Sequence, residues 1–394
     1  MMLKPTDLKQ VIEAIQQAGS ERKSLYLHGT GTKGSLHETA DADLQMSLCD
    51  YQGIVDYDPE ELVLVVKSGT ALQTVQTLLD SRQQMLAFEP PDFTHLLQQP
   101  HSGTIGGVVA SNLSGSRRLS AGAARDYLLG FDAVSGRGEG FKSGSRVMKN
   151  VTGYDLSKLM CGSYGTLAVM GEITLKVLPK PETSKTLKLT ADSVKDAQSA
   201  LAAAFRTATE PSGGAIICDT DGVHALVRLE GVQVSVSDRL TALSNALATI
   251  NSASQILEQD VSEQIWTQIT NAALFSAQAG DIWKCSIIPN QLDGFIQAVQ
   301  RAGEVEFIAD WAGGLVWIGC ISQDVSTHIR NLIAQHGGGH AHLVRSKSTH
   351  SLPVFQPYSH AVAQLQRRIK SAFDPLAILN PAIMGLSETQ QAVS

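Results

Sequence analysis

Apolar and polar positions alternate along this chain with two distinct periods. Leu8, Val11, Ile12 and Ile15 recur at helical spacing across Asp7–Ala18, with Asp7, Glu13 and several glutamines between them, which predicts an amphipathic helix. Apolar runs at Leu25–His28, Leu62–Lys67 and Leu167–Leu178 predict strands, and Ala71–Asp80 predicts a second helix. From Thr186 the pattern is one unit written twice. The first copy reads strand Thr186–Thr190, helix Val194–Ala208, strands Ala215–Asp219 and Val223–Leu229, helix Ser237–Ile250, strand Ser254–Glu258. The second reads strand Trp283–Ile288, helix Gln291–Ala302, strands Val305–Asp310 and Leu315–Cys320, helix Val325–His336, strand His340–Val344. Each copy is β-α-β-β-α-β, the ferredoxin-like order. Further on, Val362, Leu365, Ile369 and Phe373 share a helical face, and that helix stops at Asp374 because the residue before Pro375 disfavours helix.

Two polar stretches containing proline, Pro179–Lys185 and Arg345–Pro353, divide the chain into blocks of residues 1–180, 183–345 and 353–394. A hydrophobic fraction of 43% with 18% charged residues is globular composition, and 394 residues suit two or three domains. The net charge of −7 gives no drive towards polyanions, and 5% aromatics give no platform for stacked bases, so nucleic acid is excluded as a partner. Five cysteines (Cys49, Cys161, Cys218, Cys285, Cys320) are scattered without any C-x-x-C, which indicates neither disulfide framework, zinc ribbon nor iron–sulfur site. No run approaches the roughly 18–20 apolar residues that span a bilayer. The first residues read as a folded helix rather than a signal peptide. The expectation is a soluble protein of a reducing cytoplasm.

Glycine marks the candidate chemistry. Fourteen of the 34 glycines fall between Gly103 and Gly171, where they allow tight turns or close approach to a ligand. Gly29-Thr30-Gly31-Thr32-Lys33-Gly34 satisfies G-x-G-x-x-G directly after an apolar strand. The next residues, Ser35–Asp41, have too little apolar periodicity for the helix that a dinucleotide fold of the Rossmann type opens there. Two readings stay open, a turn whose N–H groups cradle a phosphate and a plain surface turn. The segment His101–Gly115 packs small and hydroxyl residues around one short apolar run, and Lys149–Leu156 with Gly162–Leu167 repeats the style. Eight basic against four acidic residues between Arg117 and Lys158 point to an anionic ligand, the alternative being a solvated basic face. His336, His340 and His342 lie within seven residues, open to three readings: metal ligands, substrate-side lining or a polar strand edge. On a strand His340 and His342 face the same side. Nearby Arg345 reads either as a carboxylate partner or as a solvated linker residue.

The runs Leu48–Tyr57 and Leu62–Thr70, the segment Thr104-Ile105-Gly106-Gly107 continuing to Gly122–Gly130, Lys149–Asp155, Gly162–Leu167 and the closing Phe373–Pro381 resemble one known family. It is the FAD-binding superfamily of the vanillyl-alcohol-oxidase, or p-cresol-methylhydroxylase, type. Within it, Ser114–Arg118 and Gly122–Asp126 look most like the FAD-binding subunit of glycolate oxidase. The resemblance covers essentially the whole chain, with its specific part in the first 180 residues. Where the family's last motif continues Asn-Pro-Gly, Ala382 stands here.

The resemblance implies an α+β protein: an FAD-binding domain of two α/β subdomains in residues 1–180, a cap of duplicated ferredoxin-like units in 183–345, and a segment 353–394 that returns to the FAD domain. It implies that Gly29, Thr30, Gly31, Thr32 and Lys33 wrap the pyrophosphate with backbone N–H groups. Thr104, Ile105, Gly106 and Gly107, with Ser111, Asn112 and Ser114, would line the cofactor. Gly165 and Val169 would offer backbone contacts, and Asn380 would reach the flavin. Relatives that tether FAD covalently carry R-x-G-G-H, whereas Thr-Gly-Thr-Lys stands here behind His28, so the implied FAD is noncovalent. The H-x-G-D-G-N-x-H motif of related 2-hydroxy-acid dehydrogenases is missing, no metal site is implied, and His340, His342 and Arg345 are the catalytic candidates left, with no general base among them singled out. The implied activity is oxidation of a small 2-hydroxy acid, glycolate, to glyoxylate. Electrons would pass to an iron–sulfur subunit and a second flavoprotein subunit, with any membrane association peripheral, at the inner face of the cell membrane and through those partners. The alternatives are a self-sufficient alcohol or sugar oxidase and a noncatalytic flavin or scaffold subunit.

Overall fold

Asp7 accepts a hydrogen bond from the Gln10 N–H at 2.8 Å, capping a helix over Leu8–Glu21 that Arg22 ends in the left-handed region (φ 53°). The computed structural model to which this helix belongs describes residues 2–32, 42–144, 154–248, 253–322, 324–347, 352–381 and 383–385. Lys33, the segment 149–153 and Ala382, all named in the sequence reading, lie outside the described residues. The chain divides into two units. Unit 1 comprises Met1–Ser114, Ala123–Lys180 and Pro357–Ser394; unit 2 comprises Gly115–Gly122 and Pro181–Gln356.

In unit 1 the buried face of the first helix (Val11, Ile15, Ala18) packs on Leu25, Leu27, Leu44 and Met46, and on Val134, Val169, Ile378 and Leu379. Strands β1 (Met2–Leu3), β2 (Leu25–His28) and β3 (Leu44–Ser47) form a small parallel sheet in the order β1-β3-β2. Strands β4 (Ile54–Asp58), β5 (Val63–Lys67), β7 (Leu128–Ser135), β8 (Gly140–Gly144) and β9 (Ala168–Lys176) form an antiparallel sheet ordered β4-β5-β9-β7-β8. The short strands β6 (Gln84–Met85) and β10 (Leu178–Pro179) pair separately.

The last segment of unit 1 is held by its polar residues. Lys370 is 5% and Asp374 1% exposed. The Lys370 ammonium donates to the Asp374 carboxylate at 2.6 Å and to the Thr166 and Leu379 carbonyls, while Asp374 accepts from the Ile378 and Leu379 N–H groups. Burial pulls the Lys370 pKa down despite its partner. The helix His360–Phe373 therefore presents Lys370 inward, and two of the apolar positions expected to be its buried stripe, Val362 and Leu365, are 42% and 54% exposed. Anchoring one ammonium by three acceptors has overridden the hydrophobic periodicity.

Among the described residues unit 2 is built on one antiparallel sheet of eight strands: β11 (Thr183–Ala191), β12 (Gly213–Asp219), β13 (Gly222–Gly231), β14 (Ala253–Leu257), β15 (Asp281–Ile287), β16 (Val305–Asp310), β17 (Leu315–Cys320) and β18 (Gly339–Arg345). The order β14-β11-β13-β12-β16-β17-β15-β18 is the ferredoxin-like arrangement followed by its mirror. The copies meet where Ile216 and Ile217 of β12 pair with Ala309 and Ile308 of β16. A helix that the duplication does not contain, Gln259–Thr270, follows the first copy and buries Trp266, whose indole N–H donates to Thr186 Oγ1 at 2.8 Å.

One loop changes unit. Residues 115–122, inside the block read from sequence as FAD-binding, group with unit 2. The reason is chemical: Arg117 makes a bidentate pair with Glu230 (2.9 and 2.6 Å), Ser116 Oγ donates to Asp310 at 2.7 Å, and the Trp311 indole donates to the Gly115 carbonyl at 2.9 Å. Among the described residues no helix is long and apolar enough to cross a membrane.

Candidate cofactor site

Strand β2 ends at His28, and the turn after it runs along a cleft of about 510 Å³ in unit 1. Gly29–Thr32 share its walls with Gly103, Thr104, Gly107, Ser111, Tyr164 and Asn380. The cleft continues into a more apolar hollow of about 490 Å³ bounded by Ser68, Gly106, Gly165, Ala168, Val169 and Met170. Close packing of main chain makes this shape possible. A Cβ on Gly29 would fall 2.3 Å from Thr104 Oγ1, and one on Gly106 would fall 2.6 Å from the Ser68 carbonyl oxygen.

The donors available to a ligand are distributed unevenly. At the start of the short helix Ile105–Ala110 they are already spent: Ile105 and Gly106 N–H donate to the Thr70 and Ser68 carbonyls, and Gly107 N–H donates to Thr104 Oγ1 at 3.1 Å. The N–H groups of Gly29, Thr30, Gly31 and Thr32 have no hydrogen-bond partner among the described residues. That turn has what an anion cradle needs. In the hollow, the buried Ser68 hydroxyl likewise has no partner among the described residues. Burial pushes the Tyr26 phenol up to about 12 and the Tyr164 phenol higher still, so both stay protonated.

Other expected residues serve the chain itself. Ile105 is fully buried. Asn112, in the left-handed region at φ 49°, accepts from the Arg125 N–H, and Ser114 Oγ accepts from the Ala124 N–H at 3.0 Å. Asn380 lines the cleft, yet its amide is engaged, its Oδ1 accepting from the Leu27 N–H at 2.7 Å and its Nδ2 donating to the Tyr164 carbonyl at 2.8 Å. The basic excess expected between Arg117 and Lys158 does not reach this cleft among the described residues, and two of its members, Arg146 and Lys149, lie outside them. No lysine or arginine is among the described lining residues, because Arg117 and Arg118 belong to unit 2 and Lys158 pairs with Asp155 at 2.9 Å. Tyr26, His28, Ser68, Ala110 and Tyr164 line the cleft unannounced; Ser68 lies in the run that carries the family resemblance, but a serine at a strand end gives no signal of its own.

In unit 2, His340 and His342 do lie together, ring centroids 5.6 Å apart. His336 is elsewhere, its Nδ1 on the Leu332 carbonyl and its ring edge-on to Phe295. No group of three or more His, Cys, Asp or Glu among the described residues is arranged for a metal. Arg345 is neither solvated nor matched to a ligand carboxylate: its guanidinium donates to the Ala279 and Gly280 carbonyls beside Asp281.

A long trough offering free main-chain N–H groups at one end and an unpartnered hydroxyl above apolar walls at the other fits a flavin dinucleotide. Comparison with known proteins agrees. The family model described as an FAD binding domain matches residues 1–144. Glycolate oxidase subunit GlcE of Escherichia coli (strain K12) is 33% identical over 386 residues, which span 97% of this chain and 99% of that protein. Glycolate oxidase subunit GlcD of Bacillus subtilis (strain 168) is 37% identical over 134 residues, 34% of this chain and 27% of that one. Among solved structures, p-cresol methylhydroxylase superposes with a TM-score of 0.72 at 14% identity, covering 99% of this chain and 89% of that one, so the fold is the one expected from sequence. FAD is the cofactor, and the protein is an FAD-linked oxidoreductase. The chain belongs to the family of FAD-binding proteins that contains glycolate oxidase subunit GlcE.

Proposed function

We propose that this chain is the FAD-binding subunit of a multi-subunit glycolate oxidase or dehydrogenase, holding its flavin noncovalently in the unit 1 cleft. The observation that carries this reading is the full-length similarity to a protein named as a subunit of that oxidase. Glycolate gives up two electrons and two protons in becoming glyoxylate, and FAD supplies the two-electron acceptor when bound. The chain's part begins with binding: Gly29–Thr32 would donate to the pyrophosphate, the Ser68 hydroxyl would gain the partner it lacks, and the apolar hollow lined by Ala168, Val169 and Met170 would hold the ring system. Gly165, Ser111 and Asn380 complete the walls, Asn380 by holding β2 against the Tyr164 loop. Electrons then need an exit. Five isolated cysteines offer no cluster ligands, which favours an iron–sulfur subunit and a second flavoprotein as acceptors.

The test is turnover of glycolate with a dye acceptor, for the purified chain alone and co-expressed with its complex. The expected result is a yellow chain, nearly inactive alone and active in the complex, that releases free flavin on acid precipitation. Rapid glycolate oxidation with peroxide release by the single chain overturns the subunit reading in favour of a self-sufficient oxidase. Flavin that stays with the precipitate overturns noncovalent binding.

A further inference from the structure

The sheet of unit 2 ends in two edges, β14 and β18, which are the last strands of the two ferredoxin-like copies. The duplication sets equivalent edges side by side for comparison. The β18 edge is closed by this chain's own Pro353–Gln356. There the Leu343 N–H donates to the Val354 carbonyl at 2.9 Å and the Ala341 N–H to Gln356 Oε1 at 3.2 Å. The Arg330 guanidinium holds that strap through the Pro353, Val354 and Phe355 carbonyls. Nothing among the described residues does the same for β14, which pairs with β11 alone, from Ala253 opposite Thr190 to Leu257 opposite Thr186.

Each other sheet edge among the described residues carries a defence against further pairing. Strand β4 has Asp56, Asp58 and a shift of register, and β8 has Lys142 between terminal glycines. Strands β1, β6 and β10 are two residues long, and β2 is closed where Leu25 bridges to Leu379. Strand β14 reads Ala253-Ser254-Gln255-Ile256-Leu257, with no charge, proline or glycine. Four of its five residues are exposed, Ile256 by 47%. Such an edge is a template for one more strand.

The strand is complementary to itself. In an antiparallel pair only positions on the same side of the pleat face each other, so a two-fold axis between identical strands passes through a residue. An axis at Gln255 uses the whole strand. It sets Ser254 opposite Ile256 of the second copy and Ala253 opposite its Leu257, a small side chain against a large one each time. It also sends the acids that follow, Glu258 and Asp260, to opposite ends of the ladder, where a parallel pairing would stack like charges. Glu258 is already paired with Lys185 at 2.7 Å.

We propose that β14 is a self-association edge: two copies of this chain pair β14 with β14, antiparallel about Gln255, and join their unit 2 sheets into one. The interface is isologous and closes at two copies. It is independent of the oxidase reading, since no outcome below measures glycolate.

The experiment is sedimentation equilibrium of the full, flavin-loaded chain. Expected is a reversible equilibrium between 42.1 kDa and twice that mass, with a dissociation constant on the order of micromolar for so short a ladder. Ser254→Lys with Ile256→Lys puts like charges opposite each other on both sides of the axis and should weaken the dimer about tenfold or more. Ser254→Lys with Ile256→Glu puts opposite charges in the same places and should stay within about threefold of wild type. All these side chains are exposed, so thermal midpoints should not move, and Val234→Lys, at a residue 72% exposed elsewhere in unit 2, should leave the dimer unchanged. A chain that is monomeric throughout overturns the proposal, as does a dimer indifferent to the paired lysines. Equal weakening by both double variants overturns the antiparallel register. If the pure chain is monomeric and the paired lysines instead release another subunit from the co-expressed complex, the edge belongs to a different protein and the proposal fails.

Discussion

In unit 1 the candidate cofactor cleft is walled by main chain, glycines and small hydroxyls, and no described lining residue carries a lysine or arginine charge. In unit 2 the sheet face around Lys284 is walled by long side chains drawn from β15, β17, β18 and the loop at Arg118. The contrast teaches how each region gains specificity. A main-chain cradle binds any pyrophosphate and depends on backbone position, so whatever fixes the backbone controls it. A face built of charged and aromatic side chains depends on charge balance, so single substitutions and pH control it.

The largest effect should come from the anchor of the cleft's last wall. Lys370→Met leaves Asp374 buried without its cation, a loss of about 3–5 kcal/mol in urea unfolding, and flavin content should fall with it. A chain ending before Pro357 should retain no flavin; stoichiometric retention would show that the cradle does not need that wall. Next is the ion pair that docks the 115–122 loop. Although burial opposes it, Arg228 and Arg117 pull the Glu230 carboxyl down to about 2. A lowered folded pKa gives stability that is present above pH 4.5 and lost as pH falls towards 2, about 3 kcal/mol here. Unfolding midpoints of wild type should therefore drop across that window, and Glu230→Gln should flatten the profile.

Smaller effects separate filling the cleft from weakening it. Ala110→Trp, projecting into space shared by both hollows, should cut flavin affinity by about tenfold or more at unchanged thermal midpoint. Val234→Trp on the surface of unit 2, where the residue is 72% exposed, should do nothing to flavin content. Least is Ser68→Ala. Without flavin it removes an unpartnered buried hydroxyl and should leave stability unchanged or slightly higher. With flavin it should weaken binding about two- to tenfold. Equal affinity in both proteins would remove Ser68 from the cofactor's contacts.

The two kinds of wall also decide how much of each region is legible in the sequence. Glycines cluster where main chain lines the cleft, so Gly29, Gly31, Gly106, Gly107 and Gly165 announce themselves in a linear reading, and the β-α-β-β-α-β duplication is visible in hydrophobic period alone. Lys284 and Arg118 are 166 positions apart, as their numbers show, and nothing along the chain says that Trp311 joins them. The same holds for the +4 excess near Arg117, which counts charges without knowing that Glu230 consumes one of them. Periodicity misleads at the helix His360–Phe373, where one buried ion pair outweighs an apolar stripe.

The hydrogen bond between Leu27 and Asn380 spans 353 positions, and it sets a clock on biogenesis. At about 5–20 residues per second, β2 waits roughly 20–70 s after its own synthesis for the residue that fixes it to the Tyr164 loop. All of unit 2 is made in that interval and can fold as it emerges, while the cleft beside Gly29–Thr32 stands open with one wall missing. If the cleft is the flavin site we propose, it is complete only once Asn380 has been made.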